Sequence, residues 1–166
     1  MRKTILLTVL VVSVSALFAQ QDSIQPPYKK FPVYPPAKLL LPDNTSYYTK
    51  DDLPKKKPVM LMLFSPQCEH CQHETEVMTA NMDKFDNVHI VMATTAPMPE
   101  LLAFREKYKL TQFDNIVLCR DQDFFLFTFF ALHNFPFHAF YNKKKELISA
   151  FEGSMTLEKV LSQFGK

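Results

Sequence analysis

One junction constrains this chain more than anything else in it. Val59-Met60-Leu61-Met62-Leu63-Phe64 is continuously apolar and lies between Pro58 and Pro66, the pattern of a strand buried on both faces. Cys68-Glu69-His70-Cys71 follows at once, and from Glu69 the periodicity becomes helical. Cys71, Thr75, Met78, Met82 and Phe85 recur at spacings of three and four, which puts one face of a helix into a core.

The rest of the chain repeats the alternation. Val88–Ala93 reads as the next strand, and Pro99 opens a helix through Leu101, Leu102 and Tyr108. Ile116–Cys119 reads as a short strand, and Asp121 as a cap for a Phe-rich helix through Phe124, Phe127 and Phe130, whose helical spacing favours the core, with a docking patch as the alternative. Phe137–Tyr141 and Glu146–Phe151 alternate around Asn142–Lys145 as an antiparallel hairpin. Ser154 or Thr156 then caps a last helix containing Leu157, Val160, Leu161 and Phe164. The order β-α-β-α-β-α-β-β-α implies an α/β fold: a mixed central sheet, parallel early and antiparallel late, with helices on both faces. Ahead of it, Lys38–Leu41 and Tyr47–Thr49 flank Pro42-Asp43-Asn44 as an N-terminal hairpin extension, and Thr49-Lys50-Asp51-Asp52 reads as a capped turn.

The N-terminus reads as an export signal. Arg2 and Lys3 precede an apolar stretch from Ile5 to Phe18, and Ala19 is a small residue at a cleavage position. That stretch is short for a membrane span of about 20 residues, so residues 1–19 are expected to be a cleavable signal peptide and the protein to be periplasmic or otherwise exported; a retained anchor is the alternative. Residues 20–36 hold Pro26, Pro27, Pro32, Pro35 and Pro36 and read as an extended linker, leaving one domain at 37–166. Without residues 1–19 the chain loses two basic and no acidic residues, which leaves 17 of each. A neutral balance gives no electrostatic case for nucleic acid or anionic membrane surfaces. The basic runs Lys55–Lys57 and Lys143–Lys145 read as solvated loop charges.

Position gives the Cys-x-x-Cys segment its chemistry. A helix that begins at Cys68 aims backbone N–H groups and its dipole at that sulfur, which favours thiolate. Cys71, three residues on and nearer the core, is within disulfide reach. Cys68 is therefore the expected nucleophile, and Cys71 the thiol that resolves a mixed disulfide. Zinc would require two further ligands; His70 and His73 are near, but there is no second cysteine pair. An inert structural disulfide is the other reading. The third cysteine, Cys119, falls in a strand and is expected to be a buried core thiol. His89 and His133 have no evident partner, and His138 is either a partly buried sheet histidine or a neighbour of the site.

These residues resemble the thioredoxin superfamily, in particular exported bacterial thiol–disulfide oxidoreductases of the TlpA/ResA type, over roughly residues 38–164. An apolar strand running into Cys-x-x-Cys at a helix start fits residues 59–85. Pro136, in Asn134-Phe135-Pro136-Phe137, matches the family's cis-proline ahead of the terminal hairpin. The resemblance implies a thioredoxin fold, with substrate pairing strand-like to the backbone at Phe135 and Pro136. It also implies that Glu74, three residues beyond Cys71, influences the active-site thiols as a proton acceptor; a surface glutamate near a helix start is the alternative. The sequence departs from the family pattern in having no Trp, and in Met62, which stands where cytosolic thioredoxins carry a buried acid. His70 resembles the histidine between the cysteines of protein disulfide isomerases and would favour an oxidising disulfide, whereas Glu69 opposes it by charge.

The leading reading is thiol–disulfide exchange with protein thiols and disulfides as substrates in the cell envelope, by a monomer. It needs no organic cofactor and no metal, and it implies a membrane redox partner to recharge the pair. The TlpA/ResA likeness favours the reductive direction. The alternatives are a copper or zinc carrier and a non-catalytic binding module. A peroxidase is disfavoured because residues 61–68 lack the Pro-x-x-x-Thr-x-x-Cys setting of peroxiredoxins.

Overall fold

A computed structural model describes residues 25–165; the expected signal peptide at residues 1–19 lies outside the described residues. Pro27 opens a single helical turn, α1 (Pro27–Lys30). The N-terminal hairpin follows as β1 (Leu39–Leu40) and β2 (Tyr47–Tyr48). Its turn is held by Asp43, whose Oδ1 accepts the N–H groups of Thr45 and Ser46 at 2.9 and 2.8 Å. The capped turn at Lys50–Asp52 forms with a reciprocal Thr49–Asp52 box.

The alternation read from the sequence then appears in order: β3 (Val59–Leu63), α2 (Glu69–Ala80), β4 (His89–Thr94), α3 (Met98–Lys107), β5 (Ile116–Arg120), α4 (Phe125–Phe130), β6 (Phe137–Tyr141), β7 (Leu147–Glu152) and α5 (Leu157–Ser162). The seven strands form one mixed sheet in the order β2-β1-β5-β4-β3-β6-β7. β3, β4 and β5 are parallel, while β6 lies antiparallel to β3 and to β7. Every residue of β3, β4 and β6 is buried, as continuous apolar strands at a sheet centre require.

The two faces of the sheet carry separate cores. Met60, Met62, Ile90, Met92 and Phe140 pack with Cys71 and Met78 of α2, Leu101 and Phe104 of α3, and Val160 of α5. Val59, Leu61, Leu63, Val91 and Ala139 pack with Leu126, Phe129 and Phe130 of α4, and with Tyr34 and Leu39 from the N-terminal side. Strand alternation sends neighbouring residues of β3 into different cores.

Several elements differ in detail from their sequence expectation. The apolar face of α2 persists to Phe85, but the helix ends at Ala80 and Met82–Phe85 is a separate 3₁₀ turn. The Phe-rich helix is only half in the core: Leu126, Phe129 and Phe130 are buried, whereas Phe124, Phe125 and Phe127 are 52, 38 and 40% exposed. Asp121 caps it from outside, accepting the N–H groups of Phe125 and Leu126 at 3.0 and 2.8 Å, and Phe124 itself takes a left-handed turn. Thr156 rather than Ser154 caps α5. Lys145 is half-buried rather than a freely solvated loop charge, and its Nζ donates to the carbonyls of Pro54 and Lys57 at 2.7 and 2.8 Å.

The Pro-rich stretch expected as a linker at 20–36 lies on the domain over its described residues. Tyr28 packs on Phe130 with ring centroids 5.5 Å apart, and Tyr34 on Tyr141 at 5.1 Å. The N–H of Leu147 donates to Pro32, and that of Tyr34 to Lys145. Prolines that cannot enter a sheet interior suit this extended strap along the start of β7, where they leave the two tyrosines to supply the burial.

Candidate active site

The C-terminal end of β3 and the beginning of β6 meet because these strands are antiparallel neighbours, with Leu63 opposite Phe137. The chain therefore leaves β3 toward Cys68 at the same edge where it enters β6 through Pro136. Between them, Ser65-Pro66-Gln67 makes the turn, closed by the Cys68 N–H donating to the Ser65 carbonyl at 3.1 Å. Gln72 Nε2 donates to the Pro66 carbonyl at 2.8 Å and ties the turn to the first turns of α2.

Cys68 is the N-cap residue of α2, and its sulfur accepts the N–H of Cys71 at 3.4 Å. Cys68 is half-buried and Cys71 fully buried, both as free thiols. Burial pushes the Cys71 thiol well up from its ordinary range, with the Cys68 hydrogen bond as the next cause; the charge of Glu74 acts in the same direction. On the other side, Cys68 Sγ lies 3.8 Å from the carbonyl oxygen of Phe135. The Phe135–Pro136 peptide bond is cis, Phe135 is half-buried and Pro136 buried.

The loop leading to Pro136 is fixed from β7. Glu152 Oε1 accepts the N–H of His133 at 2.7 Å and also the N–H of Asn134. The Gly153 N–H donates to the Pro136 carbonyl at 2.7 Å. Nothing in the period-two pattern of β7 distinguishes Glu152 from a solvent-facing residue, so its clamp was not legible in the sequence.

The remaining candidates fall in different places. His70 and His73 are exposed on α2. Glu74 is not a surface glutamate: its side chain is 11% exposed, Oε2 lies 2.9 Å from Nε2 of the buried His138, and Oε1 accepts the Met155 N–H. His138 is a buried sheet histidine, and its ion-pair partner Glu74 lies three residues beyond Cys71. Cys119 is fully buried in β5, as expected of a core thiol. His89 does have a partner, Tyr48, with Oη 2.7 Å from Nε2, at the far end of the sheet. Among the described residues, no three His, Cys, Asp or Glu side chains gather as metal ligands, and no helix is long and apolar enough to cross a membrane.

No family model matches the chain, and no curated protein matches it. Solved structures do. The MTB protein DsbF, determined in mixed oxidised and reduced forms, is 20% identical over 78% of this chain and 93% of its own, with a TM-score of 0.66. A secreted Mycobacterium tuberculosis disulfide oxidoreductase homologous to E. coli DsbE is 17% identical over 78% and 95%, with a TM-score of 0.65. A thioredoxin-like protein from Aeropyrum pernix is 11% identical over 82% and 91%, with a TM-score of 0.64. At these identities the likeness is one of fold. The architecture described above is the thioredoxin fold, and its Cys-x-x-Cys pair stands where a strand gives way to a helix.

Proposed function

We propose that this protein carries out thiol–disulfide exchange on protein substrates in the cell envelope, as a reductant, after export directed by residues 1–19. The observation that carries the reading is the asymmetry of the pair. One sulfur, Cys68, is accessible, accepts a helix N–H and faces the Phe135 carbonyl, while its partner Cys71 is sealed in the core. Cys68 attacks a substrate disulfide, and a substrate thiolate leaves. Cys71 then attacks Cys68 Sγ, the second substrate sulfur leaves, and the protein is left with a Cys68–Cys71 disulfide. Two electrons pass from the protein dithiol to the substrate.

The Pro136 carbonyl is already taken by Gly153, so strand-like pairing with substrate falls to the backbone of Phe135. The reductive direction rests on the likeness of the Cys-x-x-Cys strand–helix junction and Pro136 to exported TlpA/ResA-type proteins, whereas His70 would favour the oxidising one. The secreted DsbE-like oxidoreductase among the similar structures supports export. A monomer that ends each cycle oxidised needs a membrane redox partner to reduce it again, and the exchange needs neither cofactor nor metal.

The test is the reduction potential of the Cys68–Cys71 pair in glutathione and dithiothreitol buffers, with Cys68→Ser and Cys71→Ser as controls. A value at or below about −250 mV is expected for a reductant, and one of about −180 to −120 mV would reverse the direction. Failure to form a reversible disulfide would remove the reading.

A further inference from the structure

A buried acid–base pair lies under the helix that carries the cysteines. Glu74 is on α2, three residues beyond Cys71 and so on the same side of the helix. His138 enters from β6, where it stands opposite Met62 of β3 in the strand ladder. Their side chains, 11% and 2% exposed, meet at 2.9 Å. His138 Nδ1 is buried and has no hydrogen-bond partner among the described residues, so Glu74 is the polar contact that orients the imidazole. Met62 can neither accept nor release a proton.

We propose that His138 is a positioning residue for the resolving thiol: it holds the Glu74 carboxylate in place and, together with it, takes up the proton that Cys71 releases. The inference rests on the disulfide exchange proposed above. With His138 neutral and donating Nε2–H to Glu74, the pair carries one negative charge, which opposes a thiolate on the same side of α2. When Cys71 S–H releases its proton to the pair, the imidazole becomes cationic and the pair neutral. The negative charge then sits on the sulfur, and the buried region gains no net charge. The thiolate attacks Cys68 Sγ, the bond from Cys68 to substrate sulfur breaks, and substrate leaves as thiolate. Glu74 and His138 both line a cavity of about 440 Å³ between α2 and α5, which gives the proton a way out to solvent.

The groups facing the pair are few. α2 contributes His73 at the cavity wall and, one turn before Glu74, the Cys71 thiol that the Glu74 charge raises; the first turn of α5 contributes Glu158. β3 presents Met60 and Met62. β7 places Phe151 opposite His138, with Lys159 Nζ 3.7 Å from the centre of the Phe151 ring.

The experiment follows the second phase of the reaction with dithionitrobenzoate. Cys68 first forms a mixed disulfide, and attack by Cys71 then releases a second thionitrobenzoate. The rate of that release is measured from about pH 5 to about pH 8. His138→Gln keeps a hydrogen-bond donor but cannot take a proton. It is expected to slow the release about tenfold near neutrality and to move the profile about one pH unit to the alkaline side. Glu74→Gln should do the same, and the double variant should be no slower than either single one. A His138→Gln profile that overlays the wild type overturns the proposal, even if its melting temperature has fallen. If the variant does not fold, the His138 imidazole is titrated by NMR in the wild-type protein. Different titrations in the dithiol and disulfide forms are expected, and identical ones overturn the proposal. A wild-type trace with no second phase, matching that of Cys71→Ser, would instead remove the exchange reading itself.

Discussion

Single side chains decide where protons can reside in this protein. Burial, together with the charges of Lys145 and Lys57, lowers the His89 imidazole from 6.5 to about 4. The unfolded chain therefore binds that proton more readily than the folded one. Stability from this residue is complete above pH 6.5 and is lost as the pH falls from 6.5 toward about 4. The loss amounts to about 3 kcal/mol by the usual conversion. Urea melts across that range should show it, and His89→Gln should flatten the slope between those limits while Tyr48 keeps an acceptor. A slope unchanged in the variant would place the acid sensitivity elsewhere. The same physics acts on sulfur, where burial holds both Cys71 and Cys119 up and leaves Cys68 as the accessible thiol.

At the level of elements, the site is a meeting of two strand ends, and each end is held by a neighbour distant in sequence. Gln72 restrains the turn before Cys68 by its bond to Pro66, and Glu152 restrains the loop before Pro136. Replacing Glu152 with Ala leaves two exposed N–H groups to water in place of their carboxylate acceptor, at a net cost of about 1 kcal/mol. Because the loop delivers the Phe135 carbonyl to Cys68, disulfide reduction should slow several-fold, and Glu152→Gln should restore most of both losses. Thermal melts and an insulin-reduction assay report the two effects. Full activity in Glu152→Ala would show that the loop holds its position without the clamp.

Across the whole molecule, the strap at residues 25–36 extends the second core beyond the sheet. Tyr34 is 5% exposed and packs its ring at a tilt against Tyr141, so Tyr34→Ala should cost about 3 kcal/mol. Its hydroxyl is buried with no hydrogen-bond partner among the described residues, so Tyr34→Phe should be neutral or stabilising. Denaturant melts of the two variants separate a packed strap from a loose one: equal stability of Tyr34→Ala and wild type would mean the strap contributes nothing. The exposed side of α4 has the opposite character, with Phe124, Phe125 and Phe127 left in solvent beside the buried Leu126, Phe129 and Phe130.

Much of this was legible in the sequence because it is local. Period and punctuation mark elements, so the order of strands and helices, the hairpin at Asn142–Lys145 and the start of a helix at Cys68 follow from residues within one turn of each other. The Cys-x-x-Cys spacing likewise carries its chemistry within four residues. What only the tertiary structure decided are pairings across the chain: Glu74 with His138, Glu152 with the loop before Pro136, His89 with Tyr48, and the proline-rich strap with Tyr141 and Phe130. A helical glutamate or a strand histidine looks the same in sequence whether it faces water or a partner. The difference arises when the β3–β6 register brings α2 and β6 together, because a polar side chain shut away from water must find its partner in whichever element lies nearest.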